Sequence, residues 1–346
     1  MFDDQLNWDL LSALCEVSAP SGREERVRDI VRPVLEETCD RVEVDPLGGL
    51  SGIRERGGAP KLMLAAHLDE IGLMVSAVDD SGFLRFVPLG GWDARTLVSQ
   101  RVVVHGREDL PGVVGMPPVH LTTAADRNEA PKLEDLVIDL GLPRDEAKEL
   151  TRPGDVVTRT RELITLGHLV TGKSLDDRVG LYVMLQALRA TSHGEASLYA
   201  TATAQEEVGL RGARVAAGRI DPDVAIAIDT CPAGDGPGNA KGGTTKLGDG
   251  AAIRVMDASA IGAPALVDHL EQLAKDRDIP YQFHVASKGG TDTQALQLSG
   301  TGAVAGCVSI PSRYVHSSVE VCHPADIEAS VRLIAAAIET AHELVT

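Results

Sequence analysis

Three predicted strands, each a short apolar run, end in side chains that can bind a metal ion. In an open α/β sheet, ligands bind outside the carboxyl ends of the strands, so we expect these side chains to meet at one site. The runs cover residues 61–66, 196–202 and 224–228, and the side chains that follow them are His67, Asp69, Glu206, Glu207 and Asp229.

Two further clusters offer the same types of ligand. Asp176 stands at the start of a predicted helix, where the helix dipole and the free N–H groups favour a carboxylate. His316 follows the apolar residues 303–310. Together the clusters supply two imidazoles and at least three carboxylates, a set that suits two divalent ions such as zinc, cobalt or manganese.

Each cluster also has an ordinary interpretation when it is taken alone. An aspartate pair at a helix start is usually a cap, and two adjacent glutamates usually belong to a solvated face. A histidine two residues before an aspartate is usually half of a hydrogen-bonded pair. The prediction of a metal centre therefore depends on the convergence of the clusters, and this convergence depends on the predicted fold.

The elements that carry these side chains predict two units. Residues 1–72 and 165–346 alternate helix and strand, which indicates one catalytic α/β domain with a mixed sheet flanked by helices. Residues 73–164 consist of short β-branched runs separated by turn signals. This segment is therefore expected to form an inserted small β-barrel.

Two helices are predicted ahead of the first of these strands, over residues 4–17 and 22–37. The second begins after Ser21, whose hydroxyl could cap it, and Glu24 follows three residues later, as in a capping box. We therefore expect Ser21 and Glu24 to stabilise this helix start.

Charge and composition exclude several classes of partner. The 346 residues include 33 Lys and Arg against 51 Asp and Glu, and the net charge of −18 argues against binding to nucleic acid or to an anionic membrane. There is no apolar stretch of about 18 residues that would predict a membrane span. The N-terminus lacks a signal-peptide pattern, and the five cysteines form no CxxC pair. These features predict a cytoplasmic protein.

A series of motifs runs through nearly the whole chain in a highly specific order and spacing. They are SAPSGREERVR at residues 18–28, AAHLDEIGLMV at 65–75, GVVGMPPVHL at 112–121, GKSLDDRVG at 172–180, TAQEEVGLRGA at 203–213, AIAIDT at 225–230, GGTDT at 289–293 and RYVHS at 313–317. In these motifs the chain resembles the TET-type co-catalytic metalloaminopeptidases, metallopeptidase family forty-two. The resemblance implies a three-layer zinc-peptidase core in which the inserted barrel is a PDZ-like dimerisation domain.

The resemblance also implies how two divalent metal ions are held in each subunit, with zinc expected first and cobalt or manganese as alternatives. Asp176 would bridge the two ions. His67 and Asp229 would complete one site, and Glu207 and His316 would complete the other. These five residues form the expected ligand set.

Two neighbouring residues receive catalytic roles from the same resemblance. Glu206 would be the general base that takes a proton from water and passes it to the leaving amine. Asp69 would hydrogen-bond the second ring nitrogen of His67 and fix its tautomer. In relatives the peptide bond after the bridging aspartate is typically cis, so we expect a cis bond between Asp176 and Asp177.

The substrate pocket and the other histidines are assigned less directly. Gly289, Gly290 and Thr291 are expected to shape the pocket that binds the substrate. The remaining histidines, His284 among them, lack a ligand-like context and are predicted to be structural or exposed. His120 is the one to follow, since the insertion could lean towards the active site of a neighbouring subunit.

The implied activity is hydrolysis of N-terminal residues from short peptides. A metal-dependent deacylase acting on N-acyl amino acids is the main alternative. A glycoside hydrolase, which would also need two carboxylates, and a non-enzymatic assembly subunit are the others. The resemblance further implies homo-oligomers, in which dimers assemble into a hollow tetrahedral dodecamer.

Overall fold

A computed structural model describes residues 6–122, 129–191, 194–237 and 244–345. Within these ranges the chain forms an eleven-stranded mixed sheet flanked by helices, together with a closed barrel of six strands. The fold class predicted from the sequence is therefore confirmed.

Helices cover both faces of the large sheet. In chain order the helices are α1 (Trp8–Glu16), α2 (Glu25–Thr38), α3 (Ala94–Leu97), α4 (Arg144–Leu150), α5 (Leu175–Ala190), α6 (Arg211–Ile220), α7 (Pro264–Asp276), α8 (Thr293–Gln297) and α9 (Pro324–Thr340). Three short 3₁₀ segments, Val119–Leu121, Leu133–Asp135 and Ala341–Val345, also lie in the described ranges. None of the helices in these ranges is long and apolar enough to cross a lipid bilayer.

The strands divide between the large sheet and the barrel. In chain order they are β1 (Arg41–Val44), β2 (Leu50–Arg54), β3 (Lys61–His67), β4 (Gly72–Val78), β5 (Leu84–Leu89), β6 (Arg101–His105), β7 (Asp109–Gly115), β8 (Val137–Asp139), β9 (Val156–Arg159), β10 (Ile164–Leu166), β11 (Leu169–Gly172), β12 (Ser197–Thr203), β13 (Val224–Pro232), β14 (Ala251–Met256), β15 (Tyr281–Val285), β16 (Val304–Arg313) and β17 (Glu320–Cys322). The main path of the sheet runs β1-β2-β12-β3-β13-β16-β17-β11-β10, with β14 joined to β16 and β15 joined to β14.

Four neighbouring parallel strands, β12, β3, β13 and β16, form the centre of the sheet. Their register places the end of β12 beside the end of β3, with Thr203 opposite His67. On the other side, Asp229 in β13 lies opposite Ser309 in β16. Because parallel strands all end at the same edge, the polar residues that follow them share one edge of the sheet.

Side chains of β3 alternate between two apolar layers, as expected for a strand buried on both faces. Leu62, Leu64 and Ala66 pack in the larger core with residues of α1, α2, α5, α7 and α9. Met63 and Ala65 pack on the opposite face with residues of α6 and α8. The continuous apolar run at residues 61–66 therefore corresponds to the middle layer of a three-layer structure.

The barrel closes in the order β4-β5-β8-β7-β6-β9 and has its own apolar interior. Its strands span Gly72–Val78 to Val156–Arg159, whereas β10 pairs with β11 in the large sheet. The division into a catalytic unit and an insertion at residues 73–164 stays a prediction. His120 is exposed, in the 3₁₀ segment Val119–Leu121, and its approach to a neighbouring subunit stays a prediction too.

A buried ion pair fixes the segment that leads into α5. The ammonium group of Lys173 lies 2.8 and 2.9 Å from the two carboxylate oxygens of Glu70, and both side chains are almost fully buried. Glu70 also accepts hydrogen bonds from the Ser174 hydroxyl at 2.5 Å and from the Ala19 N–H at 3.1 Å. Burial acts to raise the pKa of Glu70, but the charges of Lys173 and Arg178 outweigh it and lower the pKa to about 2.

We expect Lys173→Met to lower the free energy of unfolding by up to about 3–5 kcal/mol, because the buried Glu70 charge would lose its nearest partner and keep only Arg178, at 3.7 Å. Urea denaturation followed by circular dichroism would measure this change. The control is Arg26→Met, which breaks an exposed pair with Asp109 at 3.0 Å and should cost at most about 1 kcal/mol. Equal losses in the two variants would contradict the structural role of the buried pair.

Candidate metal centre

The structure brings the predicted ligands together at the carboxyl ends of the central strands. Ligand atoms of His67, Asp176 and Asp229 all lie within 4.8 Å of one another. The same holds for Asp176, Glu207 and His316. Asp176 therefore belongs to both groups, which is the arrangement that a carboxylate bridging two ions requires.

Distances around Asp176 place one imidazole on each of its oxygens. Its Oδ1 lies 3.4 Å from Nε2 of His67, and its Oδ2 lies 3.3 Å from Nε2 of His316. Nε2 of His316 is also 3.3 Å from Oε1 of Glu207. Oδ1 of Asp176 is buried and accepts no hydrogen bond from the described residues. An orphaned buried carboxylate oxygen of this kind fits a site that holds a cation.

Both imidazoles are oriented through their other ring nitrogen. Nδ1 of His67 lies 2.9 Å from the backbone carbonyl of Asp69, and Nδ1 of His316 lies 2.9 Å from the carbonyl of Gly91. A carbonyl oxygen can only accept, so in both rings Nδ1 carries the hydrogen. In the neutral form of each ring, Nε2 then presents a lone pair towards Asp176, as a metal ligand must.

The pKa values of the side chains in this cluster are shifted in the direction that favours bound positive charge. Burial and the neighbouring Asp176 raise the pKa of Asp229 to about 8. Burial also raises the pKa of Glu206 well above its usual range, and the charges of Asp229 and Glu207 act in the same direction. Burial opposes the charged form of His316, but the carboxylates of Asp176 and Glu207 raise its pKa to about 12. The buried negative charge therefore needs cations, and divalent ions would supply them.

Two features of the backbone at the start of α5 lie next to Asp176, a cis peptide bond and the hydrogen bonds of Asp177. The peptide bond between Asp176 and Asp177 is cis, which confirms the expectation drawn from the resemblance. The Asp177 carboxylate accepts the N–H groups of His67 and Gly180, both at 3.1 Å. It thereby ties the first turn of α5 to the end of β3.

Asp69 contacts more of the site than the sequence analysis expected. Its carbonyl is closer to Nδ1 of His67 than its carboxylate is, since Oδ1 lies 3.5 Å from that nitrogen. The carboxylate instead accepts the N–H groups of Glu206 at 2.9 Å and Glu207 at 3.2 Å. Asp69 therefore orients His67 mainly through its backbone and positions the two glutamates through its side chain.

The capping box predicted for α2 is wrong. α2 starts without a side-chain cap, and the Ser21 hydroxyl donates to Asp69 at 2.6 Å. Glu24 accepts the N–H groups of Gly22 at 2.7 Å and Gln205 at 3.1 Å. Both side chains therefore form hydrogen bonds with the loops around His67 and Glu206 and do not cap the helix.

Residues of the metal centre line a cavity of about 990 Å³, and Glu206 and Gly289 are part of its wall. Gly290 also lines the cavity. Thr291 does not, because it is fully buried and donates its hydroxyl to Thr293. Its expected part in shaping the substrate pocket stays a prediction.

Sequence reasoning missed several residues of this region. His284 was expected to be structural or exposed, but it is buried and forms part of the cavity wall. The carboxylates of Asp177 and Glu320 accept the backbone N–H groups of His67 and Asp176. The carbonyl of Gly91 contacts Nδ1 of His316. Only the position of Asp177 beside Asp176 gave a local signal, because the other contacts join parts of the chain that are far apart in sequence.

A shared aspartate with an imidazole and a second carboxylate on each side defines a class of protein, the hydrolases that use divalent metal ions. The model of the M42 glutamyl aminopeptidase family matches residues 48–333. The chain belongs to this M42 family of metal-dependent aminopeptidases. Membership implies divalent metal ions and an enzyme that hydrolyses peptides, and it does not favour the deacylase, glycoside hydrolase or assembly-subunit alternatives.

Individual relatives support the assignment. A lysyl aminopeptidase of Pyrococcus furiosus is 36% identical over 341 residues, covering 96% of this chain and 97% of the relative. The structure of an aminopeptidase of the archaeon Desulfurococcus kamchatkensis has a TM-score of 0.93 at 41% identity, covering 98% of this chain and 96% of that one. The TET1 peptidase of Pyrococcus horikoshii, which can assemble into a tetrahedron or a large octahedral shell, has a TM-score of 0.87 at 34% identity, covering 96% and 99%.

We expect a strong chelator to lower the thermal unfolding midpoint of the purified protein by at least about 5 °C, since each ion at a hundredfold excess over its Kd adds about 2.7 kcal/mol. Scanning calorimetry before and after restoring zinc would measure the change. Asp176→Ala, which removes the shared ligand, should have a midpoint that no longer responds to the chelator. A chelator-insensitive midpoint in the unaltered protein would contradict the site.

Proposed function

We propose that the protein removes N-terminal residues from short peptides at a centre of two divalent ions, with zinc as the first choice and cobalt or manganese as alternatives. His67 and Asp229 would hold one ion, Glu207 and His316 the other, and Asp176 both. The observation that carries this proposal is the membership of Asp176 in two ligand groups at the edge of the cavity.

When bound, two such ions lower the pKa of a water molecule and polarise the scissile carbonyl group. Glu206 is the proposed general base. Its Oε2 lies 4.0 Å from Nε2 of His67, so it faces the same space as the metal ligands, and its carboxylate lines the cavity. Glu206 takes a proton from the attacking water and gives it to the leaving amine, so that the proton is conserved over the reaction.

The two adjacent glutamates have different proposed tasks because Asp69 fixes the backbone of both. Its two carboxylate oxygens accept the N–H groups of Glu206 and Glu207 separately. With the backbone held, Glu207 reaches His316 at 3.3 Å while Glu206 reaches towards His67. One carboxylate thus binds metal while its neighbour remains available for proton transfer.

Substrate would enter the 990 Å³ cavity with its free amino group towards the carboxylates. The free amino group would bind there to one of the two ions through its nitrogen lone pair. The nitrogen of an N-acyl group has no free lone pair and would not bind in this way. The backbone of Gly289 and Gly290 forms part of the wall, and we propose that it contacts the substrate.

We expect Glu206→Gln to lower kcat by about 10²- to 10⁴-fold while two equivalents of metal stay bound, because the amide keeps the shape but cannot take a proton. Glu207→Gln is the matched variant one residue away, and it should lose metal as well as activity. Stopped-assay kinetics and metal analysis of both proteins would separate the two roles. Full turnover by Glu206→Gln would overturn the proposed base.

The free amino group provides a second test, which separates an aminopeptidase from a deacylase. We expect hydrolysis of aminoacyl p-nitroanilides and no release of acetate from N-acetyl amino acids, since an acylated nitrogen has no free lone pair with which to bind a metal ion. Product analysis with each metal restored to chelated enzyme would measure both reactions. Deacetylation faster than p-nitroaniline release would favour the deacylase.

We also propose that residues 73–164 form an oligomerisation domain and that the chains assemble as homo-oligomers, with a tetrahedral dodecamer as the expected particle. The tetrahedron formed by the similar TET1 peptidase supports this proposal. So do exposed apolar side chains on the barrel segment, such as Val87, Val113 and Leu121, the last being 75% exposed.

The free cysteines Cys15, Cys39, Cys231, Cys307 and Cys322 support a reducing, cytoplasmic location.

Sedimentation velocity would test the assembly. We expect a species of twelve chains, because the exposed barrel residues need partners. Leu121→Asp should shift the distribution towards smaller species while metal content stays the same, and Leu298→Asp, at an apolar residue that is 73% exposed outside the barrel, is the control. A stable monomer at micromolar concentration would contradict the proposed assembly.

A further inference from the structure

Glu320 is a buried carboxylate to which neither the sequence analysis nor the proposed reaction gives a role. It is the first residue of β17, and 1% of it is exposed. Its two oxygens point to two different parts of the metal centre. Oε2 accepts the N–H of Asp176 at 2.9 Å, and Oε1 accepts the N–H of His316 at 3.0 Å.

These two N–H groups belong to residues that are distant in sequence and adjacent in the site. Asp176 lies at the entrance of α5, and His316 lies in the loop after β16. Their side chains meet at 3.3 Å, between Oδ2 and Nε2. The carboxylate of Glu320 is therefore a bridge between the backbones of two residues whose side chains also have to meet.

The backbone at His316 needs such support. Its φ is 61°, in the left-handed region that residues other than glycine adopt at a cost of about 1–3 kcal/mol. The adjacent carbonyl, of Ser317, accepts a hydrogen bond from the buried guanidinium of Arg159 in β9. Glu320 and Arg159 thus hold the loop on both sides of the imidazole-bearing residue, and only Glu320 also holds Asp176.

We propose that Glu320 is a positioning residue that sets the separation between Asp176 and His316 and thereby the affinity for the ion that these two residues share with Glu207. The inference rests on the proposed metal centre. Residues that support metal ligands from outside typically change metal affinity about 10- to 100-fold when they are replaced. The ion between His67 and Asp229 should be affected less, because only one of its ligands, Asp176, contacts Glu320, whereas the other ion depends on both Asp176 and His316.

The test is zinc binding by Glu320→Gln, measured by competition with a chromophoric chelator on metal-free protein. Glutamine keeps one oxygen but turns an N–H₂ group towards one of the two backbone donors, so one hydrogen bond is lost and two donors oppose each other. We expect the Kd of one zinc ion to rise about 10- to 100-fold and that of the other to change less, whichever of the two binds more tightly in the unaltered protein. Cobalt-loaded protein should show an altered visible spectrum at the same time.

A matched control lies elsewhere in the same fold. Asp326 in α9 is also buried and accepts two backbone N–H groups on separate oxygens, those of Gly248 and Gly250, each at 2.8 Å. Asp326→Asn removes the same arrangement from another part of the structure. It should lower the thermal midpoint of the metal-free protein as Glu320→Gln does, but leave both zinc affinities unchanged. Glu320→Asp, which keeps the charge but is too short to reach both N–H groups, should also weaken the second ion.

The outcomes distinguish this inference from the proposed function. If the unaltered protein binds two zinc ions and Glu320→Gln binds them with the same affinities, Glu320 is not a positioning residue and the metal centre stands. The inference is also wrong if Asp326→Asn weakens zinc as much, since the effect is then one of general stability. If the unaltered protein does not bind two ions, the proposed centre itself is wrong.

Discussion

Carboxylates buried together at the ends of neighbouring parallel strands are the constraint on which the rest of this structure depends. Asp176, Glu206, Glu207 and Asp229 lie around a common space, and burial makes their mutual repulsion strong. Such a group is tolerable only with compensating charge, whether from protons on the imidazoles or from bound cations. The folded chain therefore requires positive charge at this point, which the proposed metal ions would supply.

Much of the surrounding structure serves to hold these charges where they are. A second layer of hydrogen bonds runs through Asp69, Asp177 and Glu320, and each of them accepts backbone N–H groups next to a ligand. Left-handed backbone at Gln205 and His316 adds local strain that these contacts offset. The buried pair of Glu70 and Lys173 anchors the approach to α5 in a similar way, deeper in the core.

Patterns along the chain were sufficient to predict the layers of the fold and the types of metal ligand, because both depend on residues that are close together in sequence. The apolar run before His67 indicated a strand buried on both faces, and the short β-branched runs after it indicated a barrel. Ser21 and Glu24 were wrongly predicted to cap α2. The same two residue types at the same spacing can instead form hydrogen bonds with distant loops, and the sequence does not distinguish the two cases. Glu320 lies only four residues after His316, but its other partner, Asp176, is 144 residues away, and that contact exists only once the chain is folded.

Two residues of the barrel segment contact the loop that carries the candidate metal ligand His316. The carbonyl of Gly91, between β5 and α3, orients the imidazole of His316, and a side chain at Gly91 would place its first carbon 3.1 Å from that ring. Arg159, at the far end of the barrel sequence, holds the next carbonyl and lies over the ring of Trp92. Replacing this barrel with a shorter hairpin, or grafting it onto another scaffold, would therefore remove contacts that orient His316 as well as change the outer surface. Residues of the predicted insertion thus contact the loop that carries His316.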